Sequence, residues 1–276
     1  MKTWFITGIS RGLGQALAAA ALARGDVVIG TTREGAPPLD AGPGQLHVLE
    51  LDMTDAAAIE RAAERAFALA PRIDVLVNNA GYGLLGAFED VGDAEMTRLF
   101  AVNVFGPFRL IRAALPRFRA QGGGHIVNIT SIAGRAPNSG SALYAASKFA
   151  LEGLSEALAL EAAPLGVKVT AVAPGAFRTD FLSEHSLRRA PARSQAYAET
   201  AGATLQRLDA MAGRQIGDPA RAAAAILAAV DAKDPPRHLL LGSDALRRAR
   251  ENLDALTVEM KLWEEVAKGT DFSAGG

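Results

Sequence analysis

The sequence predicts an α/β fold, a Rossmann-like, doubly wound parallel sheet in three α/β/α layers, forming one domain with a C-terminal helical extension. Three observations predict it. Short β-branched runs alternate with longer Ala- and Leu-rich runs from the first residues onward. Several short runs are apolar almost throughout rather than alternating, which marks strands covered on both faces, as in a parallel sheet. A glycine turn joins the first apolar run to the first helical one, where such sheets hold nucleotides.

The runs at 3–7, 27–31, 46–51, 75–78, 126–130, 167–172 and 238–241 read as strands, and helical spacing occupies 12–24, 55–69, 94–119, 142–163 and 219–231. The domain built from them covers 1–242. Residues 177–216, rich in Arg, Ser, Ala and Thr, fall outside the alternation. Residues 243–276 form a tail, in which 244–268 reads as one long amphipathic helix with Leu246, Leu253, Leu256, Met260 and Trp263 on a common stripe. Residues 270–276 are expected to fray. No fixed-period repeat and no linker composition interrupts the chain.

With 49% hydrophobic and 21% charged residues, the 276-residue chain has a globular rather than a disordered composition. Basic and acidic residues number 29 and 30, so no long-range field draws the protein to nucleic acid or an anionic membrane. The absence of cysteine excludes disulfides and thiol chemistry. His47, His125, His185 and His238 lie far apart without ligand spacing, so no metal site is expected. No apolar run reaches the ~18 residues of a membrane span. No charged-then-apolar leader pattern precedes the first strand, so the expected location is cytoplasmic.

Thr7-Gly8-Ile9-Ser10-Arg11-Gly12-Leu13-Gly14 joins the first strand to the first helix. A diphosphate needs backbone N–H groups aimed at it with no Cβ in the way, and a helix N-terminus adds its positive dipole end. The spacing is G-x-x-x-G-x-G, not the more familiar G-x-G-x-x-G; taken alone, three glycines here also suit a plain turn. The pattern resembles that of the short-chain dehydrogenase/reductase family, in its single-domain subgroup. A site for NAD places an acid near the end of the second strand, to hold the ribose 2′-hydroxyl. That strand here ends Gly30-Thr31-Thr32-Arg33, and Arg11 supplies a second cation. Two guanidinium groups suit a 2′-phosphate, so NADP(H) is expected ahead of NAD(H). Glu34 follows at once and is placed to pair with Arg33; solvated arginines are the other reading.

Tyr144 and Lys148 stand four residues apart and so share a helix face. A tyrosine is a poor base near neutrality, and a nearby ammonium is expected to lower its pKa. Ser131, thirteen residues before Tyr144, follows the fifth strand, where its hydroxyl can bond a substrate oxygen as charge develops. Asn103, Ser131, Tyr144 and Lys148 match the intervals of the family's catalytic tetrad. The resemblance further implies that Asp52 meets the adenine, that Asn79 and Gly81 of Asn78-Asn79-Ala80-Gly81 flank the adenosine side, and that Pro174, Gly175 and Thr179 lie near the nicotinamide amide and phosphates. It implies that Lys148 also holds the cofactor ribose and that Asn103 kinks its helix and holds a relay water.

What the resemblance implies is hydride exchange between NADP(H) and an alcohol or ketone carbon, with Tyr144 moving the proton. It also implies a flap over the substrate at 177–216, including the basic run 187–193, and dimers or tetramers formed through the helices of Asn103 and Tyr144. Residues 82–88 are similar to those of the family's hydroxysteroid and retinoid dehydrogenases, which suggests an apolar small-molecule substrate. Phe88, Phe100, Phe105 and Phe108 read as core, and Arg247, Arg248 and Arg250 as the wet face of the tail helix. The rival reading is a catalytically silent NADP(H)-binding sensor; the complete tetrad argues against it. A sugar-nucleotide epimerase would carry T-G-x-x-G-x-x-G and a larger C-terminal domain, both missing here.

Overall fold

A computed structural model describes residues 1–190 and 194–272. Seven parallel strands form the central sheet: β1 (Thr3–Ile6), β2 (Val27–Thr32), β3 (Gln45–Glu50), β4 (Val75–Asn78), β6 (Gly124–Ile129), β7 (Val167–Pro174) and β9 (His238–Leu241). Their order is β3-β2-β1-β4-β6-β7-β9. The chain winds outward from β1 to β3, then returns to β4 on the other side of β1. That reversal opens a crevice at the carboxyl ends of β1 and β4, the ligand position of such sheets.

The predicted fold class therefore holds, and the reason is burial. Every residue of β1, β2 and β4 is buried, whereas β3, at one edge, is mostly exposed or half-exposed. On one face, α2 (Ala56–Leu69), α4 (Gly106–Ala120) and α5 (Ala142–Ala162) pack Ile59, Leu110, Phe118 and Leu158 against Phe5, Leu76 and Ile126. On the other, α1 (Gly12–Ala23) and α7 (Pro219–Asp231) pack Leu17, Leu22 and Ile226 against Trp4, Ile6, Val28 and Val127. Each large side chain so covered contributes about 1.5–3 kcal/mol. Capping fixes the helix starts: Asp55 accepts the Ala58 N–H at 3.0 Å before α2, and Asp218 precedes Pro219 at the first position of α7.

Several elements differ from the sequence reading. The helix expected over 94–119 is three segments: α3 (Asp93–Phe100), a π-turn over Ala101–Phe105, and α4. Pro107 has no N–H to return to the carbonyl of Asn103, and the turn widens until the Gly106 N–H meets the Ala101 carbonyl. This stretch, Asp93–Ala120, is apolar enough to cross a bilayer, yet Leu99, Val104, Leu110 and Phe118 are buried in the protein. Two short strands were not anticipated: β5 (Gly83–Leu85) pairs in parallel with β8 (Leu187–Arg189), tying the segment after Gly81 to the region 177–216. That region also holds α6 (Ala203–Met211). Part of the basic run, 191–193, lies outside the described residues, as do 273–276 of the tail.

The tail is α8 (Ser243–Leu262) followed by α9 (Glu264–Lys268), broken at Trp263 rather than continuous. Phe88 and Phe105 are 64% and 49% exposed, so they are not core, while Phe100 and Phe108 are half-buried. Arg248 is not on a wet face: its guanidinium is half-buried and donates to the Ala136 carbonyl.

Candidate active site

At the crevice, the loops after β1, β2, β3, β4, β6 and β7 enclose a cavity of about 890 Å³. Fifteen of the seventeen residues singled out from sequence line it: Gly8, Ser10, Arg11, Gly12, Leu13, Arg33, Asp52, Asn79, Gly81, Ser131, Tyr144, Lys148, Pro174, Gly175 and Thr179. Gly14 and Asn103 lie behind the wall.

The glycine turn is built for close approach. Gly8 (φ +74°) and Gly12 (φ +61°) sit in the left-handed region. The Gly8 and Ile9 N–H groups anchor the turn on the Thr31 carbonyl at 3.0 and 2.9 Å. A Cβ on Gly14 would fall 2.3 Å from both Asn79 Nδ2 and the Gly8 carbonyl, so Gly14 lets the helix seat against the turn. Arg11 gives α1 no side-chain cap, and the first turn of α1 holds no acid. Its N–H groups and positive dipole end thus meet the cavity uncompensated, which fits a diphosphate. Asn79 donates through Nδ2 to the carbonyls of Thr7 and Gly8, 2.9 Å each, while the Asn79 and Ala80 N–H groups donate to Thr7 Oγ1 at 3.0 Å. Its amide positions the turn.

Just past the end of β2, Arg33 has a side chain 57% exposed, with Nε 3.8 Å from the Glu34 carboxylate. Asp52 accepts from the N–H and hydroxyl of Thr54 at 2.8 Å. The Thr54 N–H bond, ahead of the opposing effect of burial and with Arg98 and Arg33 nearby, holds its carboxyl below the usual range.

At the other end, Tyr144 and Lys148 occupy one face of α5. Lys148 Nζ lies 5.9 Å from the centre of the Tyr144 ring and donates to the Ile129 carbonyl at 2.9 Å. Burial pushes the Lys148 pKa down to about 8, opposed by the Glu152 charge. Burial also pushes the Tyr144 phenol up to about 12, opposed by a hydrogen bond with Ser131. The expectation that Lys148 lowers the tyrosine pKa is thus not met in this geometry: desolvation of the phenolate outweighs an ammonium that is itself held to a carbonyl. The phenol is set as a proton donor. Ser131 leads out of β6 in extended conformation, its Oγ receiving the Ala133 N–H at 3.1 Å.

Asn103, in the π-turn, is almost wholly buried. Its Oδ1 accepts the Tyr82 N–H at 3.1 Å, and its Nδ2 donates to the Tyr82 carbonyl and Ser147 Oγ at 2.9 and 3.2 Å. Gly81 passes between Asn103 and Lys148; a Cβ there would stand 3.1 Å from Asn103 Oδ1 and 3.6 Å from Lys148 Nζ.

Two features had no signal in spacing. Glu152, one turn beyond Lys148, is buried and takes Thr130 Oγ1 at 2.5 Å and the Arg135 guanidinium at 2.6 Å. Asp244, on the first turn of α8, accepts the Ala176 N–H at 2.9 Å and so fixes the Pro174-Gly175 loop. The rest of the wall mixes apolar side chains (Leu85, Phe177, Phe181, Leu187, Met211) with Arg98, Arg207, Arg214, Arg247 and Arg248, and Tyr82 lies under the Arg188 guanidinium at 5.4 Å.

A family model described as short chain dehydrogenase matches residues 2–190. The chain is similar to the 3-ketodihydrosphingosine reductase of Bacteroides thetaiotaomicron, 35% identical over 237 residues and 86% of each chain. Among solved structures it is similar to a short-chain dehydrogenase from Streptomyces avermitilis, with 43% identity, a TM-score of 0.89, and coverage of 98% of this chain and 100% of that one. It is also similar to ElxO with NADP bound, with 26% identity, a TM-score of 0.74, and coverage of 89% and 99%.

Proposed function

The chain belongs to the short-chain dehydrogenase family, and from that premise we propose that it is an NADP(H)-dependent reductase of an apolar ketone, running in reverse as a secondary-alcohol dehydrogenase. The observation that carries this reading is the meeting, in one cavity, of an uncapped glycine-turn helix N-terminus with a buried Tyr144 beside a half-buried Ser131. NADP(H), when bound, gives or takes the hydride at the substrate carbon. The turn holds its diphosphate, Arg11 and Arg33 its 2′-phosphate, and Asp52 its adenine side. Asn79, Gly81, Pro174, Gly175 and Thr179 complete the groove.

Ser131 donates a hydrogen bond to the substrate oxygen. Tyr144, neutral at working pH because it is buried, delivers its proton to that oxygen as negative charge develops. Lys148 stabilises the phenolate left behind and holds a ribose hydroxyl. Asn103 positions Tyr82 and the wall beside Lys148. The NADP-bound ElxO supports the cofactor, and the sphingoid-base ketoreductase supports an apolar ketone. Phe105 and Phe149 are exposed on the helices around Asn103 and Tyr144, which supports subunit pairing there.

Fluorescence titration with NADPH and with NADH, followed by NADPH oxidation across a panel of ketones, tests the reading. Tighter NADPH binding and ketone-dependent oxidation are expected. Equal binding would refute the assignment of Arg11 and Arg33, and binding without turnover on any ketone would favour the silent sensor.

A further inference from the structure

From Arg250 to Phe272 every residue is exposed, so the second half of α8 and all of α9 stand clear of the body. A lone helix of this length is marginal in water. Its apolar residues recur at alternating spacings of three and four: Leu246, Ala249, Leu253, Leu256, Met260 and Trp263. That is the seam of a two-helix coiled coil, not the wider stripe of a helix lying on a globular core. Ala249 packs against the body, but Leu253 and Trp263 are 60% and 65% exposed. Val258, Leu262 and Val266 stand off the seam. Trp263 leaves helical dihedrals (φ −107°, ψ 9°), yet its N–H donates to the Glu259 carbonyl at 3.1 Å and its own carbonyl accepts from Ala267 at 2.9 Å, so hydrogen bonds bridge the break.

We propose that this seam is an interface for a second copy of the chain, the two tail helices running antiparallel about a two-fold axis near Val258. In that register Leu253 lies opposite Trp263 of the partner subunit, and Leu256 opposite Met260 of the partner subunit. Charge selects the direction. Arg250 and Glu264 each follow a seam residue, Ala249 and Trp263, on the same flank. Antiparallel pairing sets Arg250 against Glu264 of the partner subunit, twice by symmetry. Glu264 also holds Lys268 at 2.7 Å. A parallel pair would instead set Glu264 against Glu259 of the partner subunit, a like-charge contact made twice. The antiparallel cost is one contact of Glu259 with its own copy near the axis. The interface does not depend on the proposed reaction.

Sedimentation of the full chain tests it, comparing wild type, Arg250→Glu, Glu264→Arg and the double reversal. Each single reversal is expected to weaken association at least tenfold and halve the assembly mass at micromolar concentration, and the double reversal to restore it. Far-UV circular dichroism and thermal unfolding verify that each variant folds. Equal mass in all four proteins would overturn the interface, and failure of the double reversal to rescue would overturn the antiparallel register. A wild-type chain that stays unassembled and floats with phosphatidylcholine vesicles would place the seam on lipid and also overturn the proposal.

Discussion

Tyr144 and Lys148 are both shifted by burial, in opposite senses, because burial disfavours phenolate and ammonium alike. The proposed ketone reduction would use the neutral phenol and the charged lysine. Its kcat/KM should therefore be level near neutrality and fall above a pH of about 8, where Lys148 loses its proton. Glu152→Gln removes the charge that supports the ammonium and should move that fall to lower pH; an unshifted profile would show that Glu152 does not act on Lys148. At the adenosine end, Arg33→Ala should raise the NADPH Kd about tenfold, roughly 1.4 kcal/mol, and leave NADH nearly unchanged. Sequence reasoning singled out Ser131, Tyr144 and Lys148 through their match to the family's tetrad, helped by a helix face and a strand end being local geometry. It misjudged the direction of the tyrosine shift, since desolvation depends on what the distant segments around Phe181 bring over the ring.

At the scale of elements, the entry to α1 depends on Gly14. Gly14→Ala puts a methyl where Asn79 Nδ2 and the Gly8 carbonyl already are, 2.3 Å from the new carbon. Helix propensity alone would favour alanine, but overpacking at this contact should cost about 1–3 kcal/mol. Urea denaturation should show the loss, with weaker NADPH binding alongside it. The long strands and helices were legible because β1, β2 and β4 are apolar on both faces and the helices keep a 3.6-residue period. β5 and β8 were not: three residues show no period, and only their pairing across about 100 positions makes them strands. The π-turn was hidden because it breaks no hydrophobic pattern, although Gly106-Pro107 marked the place.

Across the whole molecule, neighbouring strands of the sheet are tied by buried polar contacts as well as by apolar packing. His125 on β6 lies against Thr170 on β7, Nε2 to Oγ1 2.8 Å, and the Thr170 hydroxyl donates to the Pro236 carbonyl at 2.7 Å. The ring is therefore neutral with its proton on Nε2. Burial, with Lys168 and Lys2 adding, pulls its pKa down to about 4 from 6.5. The unfolded chain takes up a proton below about 6.5 that the folded chain refuses. The stability this provides is complete above 6.5 and is lost as pH falls toward 4, on the order of 3 kcal/mol. Chemical denaturation from pH 7 to pH 4 should show His125→Gln losing less stability than wild type; parallel acid limbs would contradict the assignment. The sheet order and crevice were legible as a fold class, whereas the grip of Asp244 on the Pro174-Gly175 loop was not, since it joins residues 68 positions apart.

The most direct test of the account is single-turnover NADPH oxidation by a ketone substrate in wild type and Tyr144→Phe. The phenylalanine ring keeps the packing against Phe181 and removes only the hydroxyl. The account predicts NADPH binding within twofold of wild type and a hydride-transfer rate reduced about 10²–10⁴-fold. A variant that turns over at the wild-type rate would contradict the assignment of Tyr144 as the proton donor and, with it, the proposed mechanism.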